Sequence, residues 1–348
     1  MYIGCKKIRK PFFCTAKVTL VLIIANMIFL TYSYANENQF VNVVSARQEY
    51  LIKPIFQEFT KDTGIKVIYF ISDANKVMNI IKSQGEITEV DAFLAVDASD
   101  LYEAQQFGIL QPIRSRLLDR NIPSHLKDPS RQWFGLSLRV RSVIYNHNNI
   151  NPEELIDYES IGDAKWKNKL AVRTSQRIYN KSMVAMMIAK YGYDKTKKIV
   201  KSWVNNFAMK PLESDVEVIN KILDGKAEIG IVNSYYLAKM LKGKPNLPIK
   251  MHFVGDANGE VHVNISGMGV TRYAKRKENA IKLIEWLSSK KGQKLFANID
   301  MEYPVNRKVK AHDILKKWGK FKQATINVKK AGELRNQAVK LMKEVGYE

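Results

Sequence analysis

Between residues 39 and 108 the chain alternates β-rich runs with helical ones, and a glycine closes each helix. The run at 39–45, Gln-Phe-Val-Asn-Val-Val-Ser, precedes Leu51, Ile52, Ile55, Phe56 and Phe59 at helical spacing. Gly64 ends that helix. A second strand at 65–71 leads to a helix marked by Val77, Ile80 and Ile81 and stopped at Gly85. A third strand at 91–96 leads to a helix at 101–107, stopped at Gly108. Such alternation with short turns predicts an α/β fold on a largely parallel sheet. In open sheets of this kind ligands bind outside the carboxyl ends of the strands. Side chains in strand-to-helix connections are therefore the first candidates for a site.

Two later connections carry tyrosines. Residues 228–241, Glu-Ile-Gly-Ile-Val-Asn-Ser-Tyr-Tyr-Leu-Ala-Lys-Met-Leu, read as a buried strand, a turn at Asn233-Ser234 and a helix. Tyr235 and Tyr236 sit at the handover. Tyr179 has the same placement, between a strand at 170–173 and a Met-rich helix starting near Met183 whose methionines read as core. Parallel strands bring such connections to one edge, so the three phenols can converge although 56 residues separate Tyr179 from Tyr235. At a helix start they are either half-buried aromatics or ligands for a hard metal ion. Arg139 and Arg141, on alternate residues of a strand, share a face. They are either surface residues or bidentate holders of an anion.

The N-terminus reads as a targeting segment. Lys6, Lys7, Arg9, Lys10 and Lys17 precede an apolar run at 18–30, and Ser33-Tyr34-Ala35 offers a small-x-Ala cleavage site. The apolar run is shorter than the roughly 20 residues that a membrane span needs. Export to a bacterial periplasm as a soluble protein is expected, with residues 1–35 removed as a signal peptide. Both cysteines, Cys5 and Cys14, fall in that segment, which excludes disulfides, thiolate metal sites and cysteine nucleophiles from the exported chain. The formal charge of +22 loses five basic residues with the leader and remains +17. Its lysines are dispersed, with no Arg-rich block and no nucleic-acid motif, so the charge reads as solvated faces and no nucleic-acid partner is expected.

The remaining length suffices for two lobes with separate cores. The expected division is residues 36–138 with 267–310 as lobe 1 and residues 139–266 as lobe 2. Residues 311–348 are expected as a helical segment packed on the outside. His125, His147, His252 and His262 are scattered without paired metal spacing, and neither a G-x-S-x-G nor a P-loop pattern is present, so nothing points to an enzyme.

Taken in order, Ser45-Ala-Arg-Gln, Trp133-Phe-Gly-Leu, Ile178-Tyr-Asn, Asn233-Ser-Tyr-Tyr, His262-Val-Asn-Ile-Ser-Gly and Glu278-Asn-Ala-Ile-Lys-Leu-Ile-Glu-Trp-Leu resemble the periplasmic ferric-iron-binding proteins. These are the substrate-binding components of ABC-type iron importers, and the resemblance spans residues 40–307. It implies a two-lobed type II periplasmic-binding-protein fold that closes on Fe³⁺ in the cleft. It also implies a monomer that serves an inner-membrane ABC permease and its ATPase. Tyr179, Tyr235 and Tyr236 match the family's tyrosine ligands. Where some members place a first-lobe ligand this chain has Gln48 and Glu49, with Tyr50 next, and Asp97 lies one position from a carboxylate ligand of other members. Carbonate or another small anion often accompanies the iron, and Arg139, Arg141 or Arg47 would hold it. Two other readings stay open: the same fold holding a small organic or phosphorus-containing anion, and an exported basic protein that binds polyanions.

Overall fold

In the computed structural model, which describes residues 39–348, two long strands organise a single mixed sheet. The expected leader, its cleavage site and both cysteines lie outside the described residues. The strands are β1 (Phe40–Ser45), β2 (Lys66–Ile71), β3 (Ala92–Ala95), β4 (Phe134–Asn146), β5 (Leu170–Val172), β6 (Ile229–Asn233), β7 (Ile249–His252), β8 (Glu260–Val261), β9 (Val263–Val270) and β10 (Lys322–Gln323). Eight of them join in the order β2-β1-β3-β9-β4-β6-β5, with β7 also on β4, while β8 and β10 form a separate pair. The parallel pairing expected holds for β1 with β3 and for β5 with β6. The crossing strands run the other way: β9 is antiparallel to β3 and β4, and β4 is antiparallel to β6 and β7. A chain that leaves one half along β4 and returns along β9 must reverse direction between them, which makes the sheet mixed.

β4 is shared between the two halves. Its first part, Phe134 to Val140, pairs with β9, and the part from Arg141 onward pairs with β6 and β7. Gly267 of β9 faces the chain so closely that a Cβ there would lie 2.5 Å from the Phe134 carbonyl oxygen and 2.8 Å from Leu101. A side chain at this position would force the two crossing strands apart.

The helices that matter for the site are α1 (Glu49–Thr63), α2 (Ala74–Gln84), α3 (Ala98–Gln106), α4 (Arg116–Asn121), α5 (Ile178–Tyr191), α6 (Tyr193–Asn205), α7 (Asp215–Leu223), α8 (Ser234–Gly243), α9 (Lys277–Ser288), α10 (Lys290–Leu295) and, after two single-turn segments, α11 (Arg335–Val345). Their starts are capped as the residue types dictate. Asp73 accepts from Asn75 N and Lys76 N, and Asp97 from Ser99 N. Ser214 Oγ caps α7 by accepting from Glu217 N at 3.1 Å and donates to Glu217 Oε1 at 3.0 Å. Gly64 ends α1 in the left-handed region at φ 72°.

The apolar interior is divided. One core, around Phe59, Phe93, Trp133 and Leu283, belongs to the half built on β1–β3 and β9. Two others belong to the half built on β5–β7: one around Trp203 and Val172, one around Ile144, Ile219 and Leu237.

The C-terminal segment departs from its expected place on the outside. Ala338, Leu341, Met342 and Val345 recur at helical spacing, are all buried, and complete the Trp203 core together with Tyr347. Earlier in the same segment Val328 enters the Phe59 core, and Leu315 packs with Tyr235, Ala238 and Met301. The basic residues that made the segment look external occupy only its outer face, with Lys340 and Lys343 exposed. Leu341→Ala should therefore cost about 2–5 kcal/mol, as for other large-to-small core changes. Urea unfolding measures this directly, and a loss below about 0.5 kcal/mol, typical of a surface site, would return the segment to an external appendage.

A tyrosine-lined candidate metal site

The two tyrosine-bearing helices start at one buried ion pair. Arg141, on β4, donates from Nη1 and Nη2 to Asp215 at 2.9 and 3.3 Å, from Nη2 to the Ile231 carbonyl at 3.2 Å, and from Nε to Asn180 Oδ1 at 2.7 Å. Asp215 opens α7 and also accepts from Asn233 N at 2.9 Å, the residue that precedes α8. Asn180 follows Tyr179 in α5, and its Nδ2 donates to the Arg173 carbonyl and to Tyr347 Oη at 2.5 and 2.7 Å. Ser234, fully buried at the start of α8, accepts from Val140 N at 3.3 Å. Arg141, expected beside Arg139 as an anion contact, is thus turned away from the cleft and saturated with partners. Sharing a strand face with Arg139 did not bring it into the cavity lining.

Tyr179, Tyr235 and Tyr236 do come together. Tyr235 Oη donates to Tyr179 Oη at 3.3 Å, and the Tyr235 and Tyr236 rings lie 4.3 Å apart, tilted by 33°. They line a cavity of about 230 Å³ with Tyr50 and Arg47 from the other half and Arg139 of the shared strand β4. Of the remaining candidates, neither Glu49 nor Asp97 lines it. Glu49 is exposed and accepts from Tyr69 Oη at 3.0 Å. Asp97 is buried, accepts from Ser182 Oγ at 2.8 Å and from Asn264 Nδ2 at 2.9 Å, and faces Arg139 at 3.5 Å.

Three charged lining residues were not foreseen: Arg173, Lys239 and Glu302. Signals for two of them were present. Arg173 ends a parallel strand, where ligand-facing groups collect. Lys239 is four residues after Tyr235 and three after Tyr236, so it shares their helix face. Glu302 had none, because a left-handed turn sets its position: a π-helical turn, Phe296–Asp300, ends at Met301 with φ 57°. Glu302 and Asp300 both hold Arg47, at 3.1 and 2.6 Å.

Four cationic side chains, Arg47, Arg139, Arg173 and Lys239, line the cavity beside one carboxylate, Glu302, while Asp300 and Asp97, which do not line it, pair with Arg47 and Arg139. The guanidinium planes of Arg139 and Arg173 lie 5.0 and 5.1 Å from the Tyr179 ring centre, and the Lys239 ammonium lies 5.4 Å from those of Tyr50 and Tyr235. Each of the three guanidinium groups keeps one buried N–H without a protein partner: Nε of Arg47, Nε of Arg139 and Nη1 of Arg173. Buried donors of this kind are normally satisfied, so together they suit an anion.

Two of the phenols, Tyr235 and Tyr236, are held in the protonated form. Burial, then the neighbouring Tyr179 and Tyr236, hold Tyr235 well above the ordinary tyrosine value. Burial, then Tyr179 and Asp215, raise Tyr236. Burial pushes Asp300 up to about 7 even beside Arg47, with Glu302 adding to the rise. Burial also acts to raise Glu302, but Arg47 and Arg139 outweigh it and hold this carboxyl below the usual range. Among the described residues no three His, Cys, Asp or Glu side chains are placed to hold a metal ion together. A metal in this cavity would have to be held mainly by phenol oxygens.

A mixed sheet crossed by two strands, with a polar cavity walled by residues from both halves, defines a solute-binding protein of the two-lobed type II periplasmic class. The chain belongs to the bacterial extracellular solute-binding protein family, whose model matches residues 88–327. Iron uptake protein A1 of Synechocystis is 34% identical over 89% of this chain and 88% of its own length. The major ferric iron-binding protein of Neisseria meningitidis serogroup B is 22% identical, over 88% and 92%. Among solved structures, the Trichodesmium IdiA/FutA protein in complex with iron and citrate ligands superposes with a TM-score of 0.84 at 39% identity, covering 89% of this chain and 100% of that one. Apo ferric ion-binding protein A of Pasteurella haemolytica gives 0.82 at 35%, covering 89% and 98%.

Removing one partner of a buried pair strands the other charge. Asp215→Asn should cost about 3–5 kcal/mol. Glu213→Gln, at the exposed pair with Arg177 (2.9 Å), should cost less than about 1 kcal/mol. Chemical denaturation of the two variants side by side checks the contrast.

Proposed function

We propose that this protein captures Fe³⁺ in the tyrosine cavity, in the periplasm, and delivers it to an inner-membrane ABC permease and its ATPase. One observation carries the reading: Tyr179, Tyr235 and Tyr236, from two different helix starts, meet with Oη of Tyr235 and Tyr179 at 3.3 Å in a cavity lined by arginines with unpaired N–H groups. The names of the iron-uptake and ferric-binding relatives support it.

The chemistry follows from charge and hardness. Fe³⁺ prefers hard anionic oxygen donors. A trivalent ion stabilises phenolates and drives their protons off, and three phenolates balance its charge. Arg139, Arg173 and Lys239 lie beside the rings and lower the cost of placing negative charge on them. Tyr50, exposed at the cavity rim, is the first-half side chain positioned to add a fourth phenol. A small anion, carbonate or an organic carboxylate, fills the remaining coordination and accepts from Arg139 and Arg47, with Arg173 replacing Arg141 in the role expected of it. The halves are lobe 1, residues 36–138 with 267–310, and lobe 2, residues 139–266. They close by a hinge in the crossing strands, where Arg139 Nη1 donates to Ser266 Oγ at 3.2 Å.

The double variant Tyr235→Phe/Tyr236→Phe should retain the fold and lose stoichiometric iron, measured as iron per protein after desalting from ferric citrate. Full retention of iron would remove the phenols from the site. Because Tyr235 and Tyr236 are raised and protonated in the metal-free protein, binding must release their protons. Affinity therefore rises with pH and falls in acid, by up to about tenfold per pH unit for each proton displaced. Chelator competition at pH 6.0 and 7.5, corrected for the chelator's own protonation, reads this slope.

A further inference from the structure

A second, separate cavity lies under α5. It has a volume of about 30 Å³, enough for a water-sized group, and its lining includes Met183, Met186 and Met187 with His262 and Tyr158. The three methionines fall at i, i+3 and i+4, so their side chains share one helix face. Met183 and Met187 are 2% exposed and Met186 is 6%. His262 is 5% exposed and its Nδ1 is buried with no hydrogen-bond partner in the protein, while its backbone N–H donates to Tyr158 Oη at 2.8 Å and its carbonyl accepts from Arg141 N at 3.3 Å. A buried imidazole nitrogen left unpaired needs a reason, since buried polar atoms normally have partners.

We propose that this cavity is a site for a soft monovalent cation, Cu(I) or Ag(I), held by the thioethers of Met183, Met186 and Met187 and by His262. Thioether and imidazole donors in an apolar pocket select soft ions over Fe³⁺, Ca²⁺ or Mg²⁺. At the cavity's mouth Lys190 lies between Asp256 and Glu260, at 2.8 and 3.1 Å, and Lys322 lies 3.9 Å from Glu260. Arg139 and Arg141, which also act on His262, are each paired with a carboxylate, Asp97 and Asp215. The site shares no lining residue with the tyrosine cavity and does not depend on the ferric reading.

The test is an anaerobic titration of the full chain in a Cys5→Ser/Cys14→Ser background, so that thiols do not take up the probe. Cu(I) would be titrated in competition with a chromophoric Cu(I) chelator, and Ag(I) would be followed by NMR of ¹³C-methyl methionine. One equivalent should bind. The methyl signals of Met183, Met186 and Met187 should shift together while those of the remaining methionines stay in place. The site should persist in Tyr235→Phe/Tyr236→Phe. It should be lost both in Met183→Leu/Met186→Leu/Met187→Leu, a volume-conserving change, and in His262→Gln, each variant keeping an unchanged unfolding midpoint. The proposal is overturned by no retention, by retention that survives the leucine triple variant, or by shifts spread over all methionines. In the first case the cavity holds a water.

Discussion

The buried Arg141–Asp215 ion pair is what gives the candidate site a common frame. Two charges removed from water carry a desolvation penalty that attraction alone rarely covers unless further hydrogen bonds complete both groups. Here they do: Arg141 also reaches Asn180 and the Ile231 carbonyl, and Asp215 also takes Asn233 N. The result joins the starts of α5 and α7 and the residue before α8 to the crossing strand β4. Tyr179 sits one residue before Asn180, and Tyr235 two residues after Asn233, so the phenols inherit their spacing from this pair. Tyr347 extends the frame, accepting from Asn180 and donating to the Arg173 carbonyl at 3.1 Å, which brings the last turn of the chain to the back of the site.

The facing wall uses the same device with the charges reversed in number. Arg47 is held by two carboxylates, Asp300 and Glu302, delivered by a π-helical turn and a left-handed residue. Irregular backbone of this kind is common at functional positions. The cavity lining carries four cationic side chains and one carboxylate, and Tyr235 and Tyr236 stay protonated, so the cavity suits a ligand set that brings its own negative charge. The proposed phenolates and accompanying anion would both meet that demand.

Much of this was legible in residues 39–108 and 228–241, because strand–helix alternation and the position of Tyr235, Tyr236 and Tyr179 at helix starts depend only on local pattern and on the geometry of parallel strands. Three matters were not. Arg141 was read as a ligand contact because alternation fixes a face but not a partner, and its partner lies 74 residues away in sequence. The sheet was read as largely parallel because the reversal between β4 and β9 comes from chain topology, which periodicity does not report. The C-terminal helix was read as external from its lysines, although Ala338, Leu341, Met342 and Val345 at helical spacing already described a buried face.

The central claim is that phenol oxygens of α5 and α8 bind ferric iron directly, and the visible spectrum of the purified protein during titration with ferric citrate tests it most directly. Iron–tyrosinate bonding gives a phenolate-to-Fe³⁺ charge-transfer band, orange to purple, that saturates at one iron per chain and disappears in Tyr235→Phe. A protein that takes up iron without such a band, or takes up none, contradicts the claim. The arginines around the cavity would then be binding an anion in their own right.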